Sequence, residues 1–145
     1  MAGVITTGDD NDLQHLRDLL HWVSQEWEPD VLVALSGGPL RYVALLDAIR
    51  SRTIVDGWNG RHRRVIADST LNRTLRRMER DSLVGRTRDE SVFPPMASYH
   101  LTPIAQQLLE VLRPAINWIG QNHGMIERVQ RSRREGTSQA PSDDA

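Results

Sequence analysis

The chain is predicted to be mainly α-helical with one small β-hairpin. Apolar residues recur at helical spacing in five separate stretches, strand-like character is confined to residues 83–101, and no internal repeat suggests another architecture. At 145 residues the chain suits one domain with a real core, and 39% apolar with 26% charged residues is ordinary globular composition.

Residues 1–11 are polar and read as a flexible tail, with Asp12 as the expected N-cap of the first helix. Leu13, Leu16, Leu20, Val23 and Trp27 then recur at helical spacing, broadened by Leu19. Pro29 suits the first turn of a short buried helix through Val31, Leu32, Val33, Ala34 and Leu35, stopped by Ser36-Gly37-Gly38-Pro39. A third helix carries Tyr42, Leu45, Leu46 and Ile49 on one face. Residues 51–65 break the period with Gly57 and Gly60 and read as a long loop or short hairpin. Asp68 is expected to cap a fourth helix running to about Asp81. A strand starts at Leu83 and Val84, residues 89–96 make a loop, and Ser98–Leu101 return as the second strand. Thr102 caps and Pro103 opens a last long helix with Leu108, Leu112, Ala115 and Ile119 in a stripe, flanked by Leu109, Val111 and Ile116.

Four helices, a hairpin and a helix are the order of a winged helix-turn-helix with a long C-terminal dimerisation helix. The domain is expected over residues 12–131, with 132–145 a disordered tail rich in Ser, Gly, Pro and Asp. The apolar faces of the first and last helices exceed what the core can cover. Leu13, Leu16, Leu20, Val23, Leu108, Leu112, Ala115 and Ile119 are therefore the expected dimer interface.

The formal net charge of -1 hides an uneven distribution. Residues 1–40 carry one Arg and seven acids, residues 41–88 twelve Arg and five acids, and residues 89–145 five Arg and seven acids. A basic block inside a near-neutral chain is an electrostatic footprint for a polyanion. Within it, Leu71, Leu75 and Met78 mark the core edge of the 68–81 helix, which turns Ser69, Arg73, Arg76 and Arg80 outward, flanked by Asn72 and Arg77. Arg pairs with guanine and Asn with adenine in a major groove, so this helix has the side chains of a reading helix. Arg86 and Arg88 stand where a protruding wing meets phosphates or a minor groove, and Arg41 starts the preceding helix, where a phosphate contact or a pairing with Asp47 is open to it.

The stretch from Trp27 to Asn122 resembles the HxlR-type winged helix-turn-helix family of bacterial transcription regulators. The resemblance is carried by Gly38-Pro39-Leu40-Arg41-Tyr42 with Leu45, by the run from Leu75 to Val84 with Arg86, and by Phe93-Pro94-Pro95 followed by Tyr99-His100-Leu101-Thr102-Pro103. It implies a homodimer joined by its first and last helices, with two reading helices in successive major grooves of a partly symmetric operator. It places the recognition positions on Ser69, Thr70, Asn72, Arg73 and Arg76. Three features depart from the family pattern. The N-terminal cysteine through which many members sense oxidants is missing, residues 51–65 replace a tight connection, and the wing has Met96, Ala97 and Ser98 where a basic and an acidic residue are usual.

Other classes find less support. No cysteine excludes thiolate catalysis, zinc-thiolate sites and disulfides, and His15 and His21, six apart, lie on different helix faces. Ser36-Gly37-Gly38 lacks the Lys of a phosphate loop. No enzyme activity, cofactor or metal site is expected. The absence of a long apolar run and of a signal-like N-terminus gives a cytoplasmic, membrane-free expectation. The expected partners are double-stranded DNA, a second copy of the chain and a small-molecule effector whose identity the sequence does not name. The rival class is a winged-helix interaction or ligand-responsive adaptor module that binds protein or RNA, which has no need of Asn and several Arg on the solvent side of one helix.

Overall fold

A computed structural model describes residues 10–52, 54–62 and 64–138. The order is α1 (Asp10–Val23), α2 (Glu28–Leu35), β1 (Leu40–Arg41), α3 (Tyr42–Arg50), β2 (Val55–Asp56), β3 (Arg61–His62), α4 (Asp68–Arg80), β4 (Val84–Asp89), β5 (Met96–Leu101), α5 (Pro103–Gln121) and α6 (His123–Ser138). The fold is a winged helix: mostly helical, with a small antiparallel sheet of order β1-β5-β4.

The core forms where the apolar edges of α2, α3 and α4 meet the sheet and the first turns of α5. Val31, Leu45, Leu71, Met78, Leu83 and Ala105 are fully enclosed there. The wing register pairs Val84 with Leu101 and Asp89 with Met96, which puts Tyr99 and Leu101 on the inner face. Gly85 lies opposite His100, and any Cβ at that position would collide with the imidazole ring.

α4 stops through a left-handed residue. Ser82 has φ 63°, the Leu83 amide donates to the Met78 carbonyl at 2.9 Å, and the Ser82 amide donates to Glu79 at 3.2 Å. This six-to-one plus five-to-two pattern normally uses glycine, and here it turns the chain into the wing while burying Leu83 against Met78.

Several boundaries differ from the sequence expectation. α1 begins at Asp10, ahead of Asp12. Asp68 lies inside α4 instead of capping it, because Ala67 is the N-cap and supplies no side-chain bond. Thr102 does cap, accepting from the Ala105 amide at 3.2 Å. The last helix is two: at Asn122 the side chain bonds back to the Trp118 carbonyl at 2.9 Å, and α6 follows. α6 also continues to Ser138, past residue 131 where composition predicts a disordered tail; residues 1–9 and 139–145 lie outside the described part.

The 51–65 segment is the short-hairpin alternative. β2 and β3 pair Val55 with His62 and Asp56 with Arg61. The Asp56 carboxylate accepts from the Trp58 amide at 3.0 Å and the Asn59 side chain at 2.7 Å, and Gly60 takes φ 68° to close the turn.

Candidate nucleic-acid interface

α4 is fixed by one edge. Leu71, Thr74, Leu75 and Met78 are buried, and the Thr74 hydroxyl donates to the Thr70 carbonyl at 2.9 Å. The remaining face carries Ser69, Asn72, Arg73, Arg76 and Arg80, all exposed, with Thr70 half-buried beside them. Arg73 donates to the Thr70 hydroxyl at 3.4 Å, and among the described residues no ion pair engages Arg73, Arg76 or Arg80. An exposed cationic face whose arginines make no ion pair among the described residues attracts an external anion.

The start of α4 is tied to α3. The Tyr42 hydroxyl donates to the Asp68 carboxylate at 2.9 Å, and Arg50 donates to the Ile66 carbonyl at 2.9 and 3.2 Å. Burial, together with the Asp68 hydrogen bond and charge, pushes the Tyr42 phenol up to about 12, so this latch stays protonated at every physiological pH. Ala67, as the N-cap, supplies no side-chain bond to the first amides of α4, and uncapped amides at a helix start suit an anionic acceptor.

Arg77 flanks this face and is engaged with α2. Its Nε donates to Glu28 Oε1 at 3.3 Å, linking α4 to α2, with side-chain exposures of 35% for Arg77 and 0% for Glu28. The other oxygen, Oε2, is buried without a hydrogen-bond partner. Burial pushes the Glu28 carboxyl above its ordinary 4.5, opposed by the hydrogen bond and charge of Arg77. Arg77, expected among the DNA-contacting residues, is held by a buried carboxylate.

The wing places Arg86 opposite Tyr99 and Arg88 opposite Ala97, two residues apart on one side of β4 and both exposed. Arg88 meets Glu90 at 3.9 Å, an exposed pair of little energetic weight. Asp89 closes the tip by accepting from the Ser91 amide at 2.9 Å and hydroxyl at 2.5 Å, bonds that hold its carboxyl below the usual range. Arg41 precedes α3 and donates to the Met96 sulfur at 3.1 Å, so its partner is the second wing strand and not Asp47. Phe93, at the tip, is 98% exposed; the sequence marks it as part of the family resemblance and not as a site residue, although an aromatic in a polar loop was the available signal.

The expected interface residues divide. Leu13, Leu16 and Leu20 on α1 are exposed, as are Ala115 and Ile119 on α5, joined there by Val111, Ile116 and Trp118. Leu108 is 7% exposed and belongs to the core, and Val23 and Leu112, half-buried, pack against it. Among the described residues no group of His, Asp and Glu has metal-site spacing, and no helix is long and apolar enough to cross a membrane.

Residues 60–127 match the HxlR-like helix-turn-helix family. The chain is 28% identical over 106 residues to the uncharacterized HTH-type transcriptional regulator YtfH of Escherichia coli K12, spanning 73% of this chain and 72% of the relative. Its fold is similar to that of a protein assigned to the MarR family of transcriptional regulators from Enterococcus faecalis V583, with TM-score 0.63, 24% identity, and coverage of 86% of this chain and 99% of the other. It is also similar to the regulator ytfH of Salmonella typhimurium, with TM-score 0.55, 25% identity, and coverage of 81% and 91%.

Proposed function

We propose, from the match of residues 60–127 to the HxlR-like helix-turn-helix family, that the chain is a transcription regulator that binds double-stranded DNA sequence-specifically as a homodimer. The observation that carries this reading is α4, locked along one edge and presenting Asn72, Arg73 and Arg76 on the other. In the complex α4 enters a major groove, where Asn72, Arg73 and Arg76 reach base edges while Ser69 and Thr70 meet the backbone. Arg80, Arg86, Arg88 and Arg41 supply phosphate contacts, which add affinity without sequence information. Phe93 leads the wing toward the adjacent minor groove, an apolar tip suited to the sugar edges.

The second copy binds through the exposed apolar residues of α1 and α5, namely Leu13, Leu16, Leu20, Ile116, Trp118 and Ile119. A single protomer gives α1 no buried residue, and a face of this kind is stable when a partner covers it. Two-fold pairing then sets two α4 helices on successive grooves.

The test is a mobility shift with DNA from upstream of the chain's own gene, over a salt series. Binding stronger than to random duplex, with a steep fall in affinity as salt rises, is expected. Equal binding to both DNAs at every salt concentration would contradict the reading and leave an interaction module in its place.

A further inference from the structure

The family match begins at residue 60 and ends at residue 127, and segments lying outside it on either side meet one another. Arg134 of α6 donates from Nη1 to the Gly57 carbonyl at 2.9 Å. The Arg133 guanidinium carbon stands 5.0 Å from the Trp58 ring centroid. A Cβ on Gly57 would come within 2.5 Å of Gln130 Oε1, and one on Gly60 within 3.2 Å of Arg134 Cδ. Positions 130, 133 and 134 share one helix face, so α6 is seated with that face on the turn of the hairpin.

Each side of this joint leads to a part the proposed function uses. α4 starts a few residues after β3, and the chain between them is anchored by Ile66, which is buried and has its carbonyl held by Arg50. On the other side α6 follows α5 across Asn122 and buries no residue of its own. A helix with no buried face takes its direction from the few contacts that hold it, and among the described residues these include the Asn122 junction and the hairpin.

We propose that the 55–62 hairpin is a strut that fixes α6, and with it the dimer-forming end of α5, relative to α4. Gly57, Trp58, Arg133 and Arg134 are then positioning residues that set the separation of the two reading helices, and so the half-site spacing the dimer accepts. This rests on the DNA-binding dimer proposed above. Bivalent binding gains avidity only when both sites are engaged at once, so a stiff frame accepts one spacing and a slack frame several.

The experiment selects sites from a random-sequence duplex library with the full-length chain. It compares wild type, the double variant Trp58→Ala with Arg134→Ala, and Gly57→Val, which wedges the joint from the hairpin side. All three positions lie on the surface or at the joint, outside the core, so thermal melting should stay close to wild type in both variants. Wild type should return paired half-sites at one separation and lose roughly 10²-fold or more in affinity when the pair is moved by about two base pairs. Both variants should return the same half-site sequence at several separations, with a loss below about tenfold on the moved pair. Unchanged spacing and an unchanged loss in both variants would overturn the strut. A wild-type selection that enriches no half-site would instead remove the DNA-binding reading beneath it.

Discussion

Replacing Arg77 by Met removes the only hydrogen-bond partner that a buried carboxylate has among the described residues, while keeping the apolar stem that packs between α4 and α2. Breaking a buried ion pair from one side costs about 3–5 kcal/mol. Arg77 keeps 35% of its side-chain exposure, and solvent screens its end of the pair, so about 2–3 kcal/mol is the expected loss at neutral pH. For a domain of this size that lowers Tm by about 5–10 °C. The loss depends on pH with a definite sign. Glu28 has a folded pKa raised above 4.5, so its favourable share of stability is present below 4.5 and is lost as pH rises through the folded value. Without Arg77 that value rises further, so the gap between variant and wild type should be small near pH 4.5 and widen toward pH 7. Melting followed by circular dichroism at both pH values measures this. Removing both partners, Glu28→Met with Arg77→Met, should recover most of the loss, because no charge is then left buried. Equal melting of Arg77→Met and wild type at pH 7, or a deficit that does not shrink at low pH, would refute the assignment.

Three further outcomes follow from the same geometry. Arg76→Ala or Arg73→Ala should relax base preference at one operator position by about 1–3 kcal/mol with unchanged melting, whereas Arg77→Met should keep base preference, and competition binding against single-base operator variants separates the two. Leu16→Glu with Leu20→Glu should leave the monomer folded and turn a dimer into a monomer by light scattering at micromolar concentration, while Leu108→Ala should cost about 2–5 kcal/mol of stability in any assembly state. Ser82→Gly should stabilise by about 0.5–1 kcal/mol, since glycine adopts the left-handed conformation without the Cβ penalty, and a loss of stability in chemical denaturation would contradict that backbone account.

α4 was the most legible part of the chain. Leu71, Leu75 and Met78 fall on one arc, and once they are buried the direction of Ser69, Arg73, Arg76 and Arg80 is fixed by helix geometry alone. The wing was legible for a similar reason, because Thr102-Pro103 marks the end of β5 by capping chemistry that acts within a few residues. What sequence reasoning missed depends on distant partners. Arg77 looks like one more basic residue until Glu28, 49 positions away, is seen to be enclosed beneath it. An acid inside the apolar run Trp27–Leu35 was the available sign. Leu108 lies on the same stripe as Ile119, and spacing cannot tell which turns of a long helix rest on their own core. The 51–65 segment gave two glycines without a period, which fit a loop and a hairpin equally. The choice depends on Asp56 bonding the turn and on α6 arriving from the far end of the chain.

In the proposed homodimer the two α4 helices read base edges in successive major grooves. Methylation protection of guanine N7 tests it most directly, because that atom lies on the major-groove edge that arginine contacts. With an operator selected by the wild-type chain, protected guanines should fall in two clusters about one helical turn apart, and Arg76→Ala should expose one guanine in each cluster while the rest stay protected. Protection confined to one cluster, or a pattern that Arg76→Ala and Arg73→Ala leave unchanged, would contradict the account.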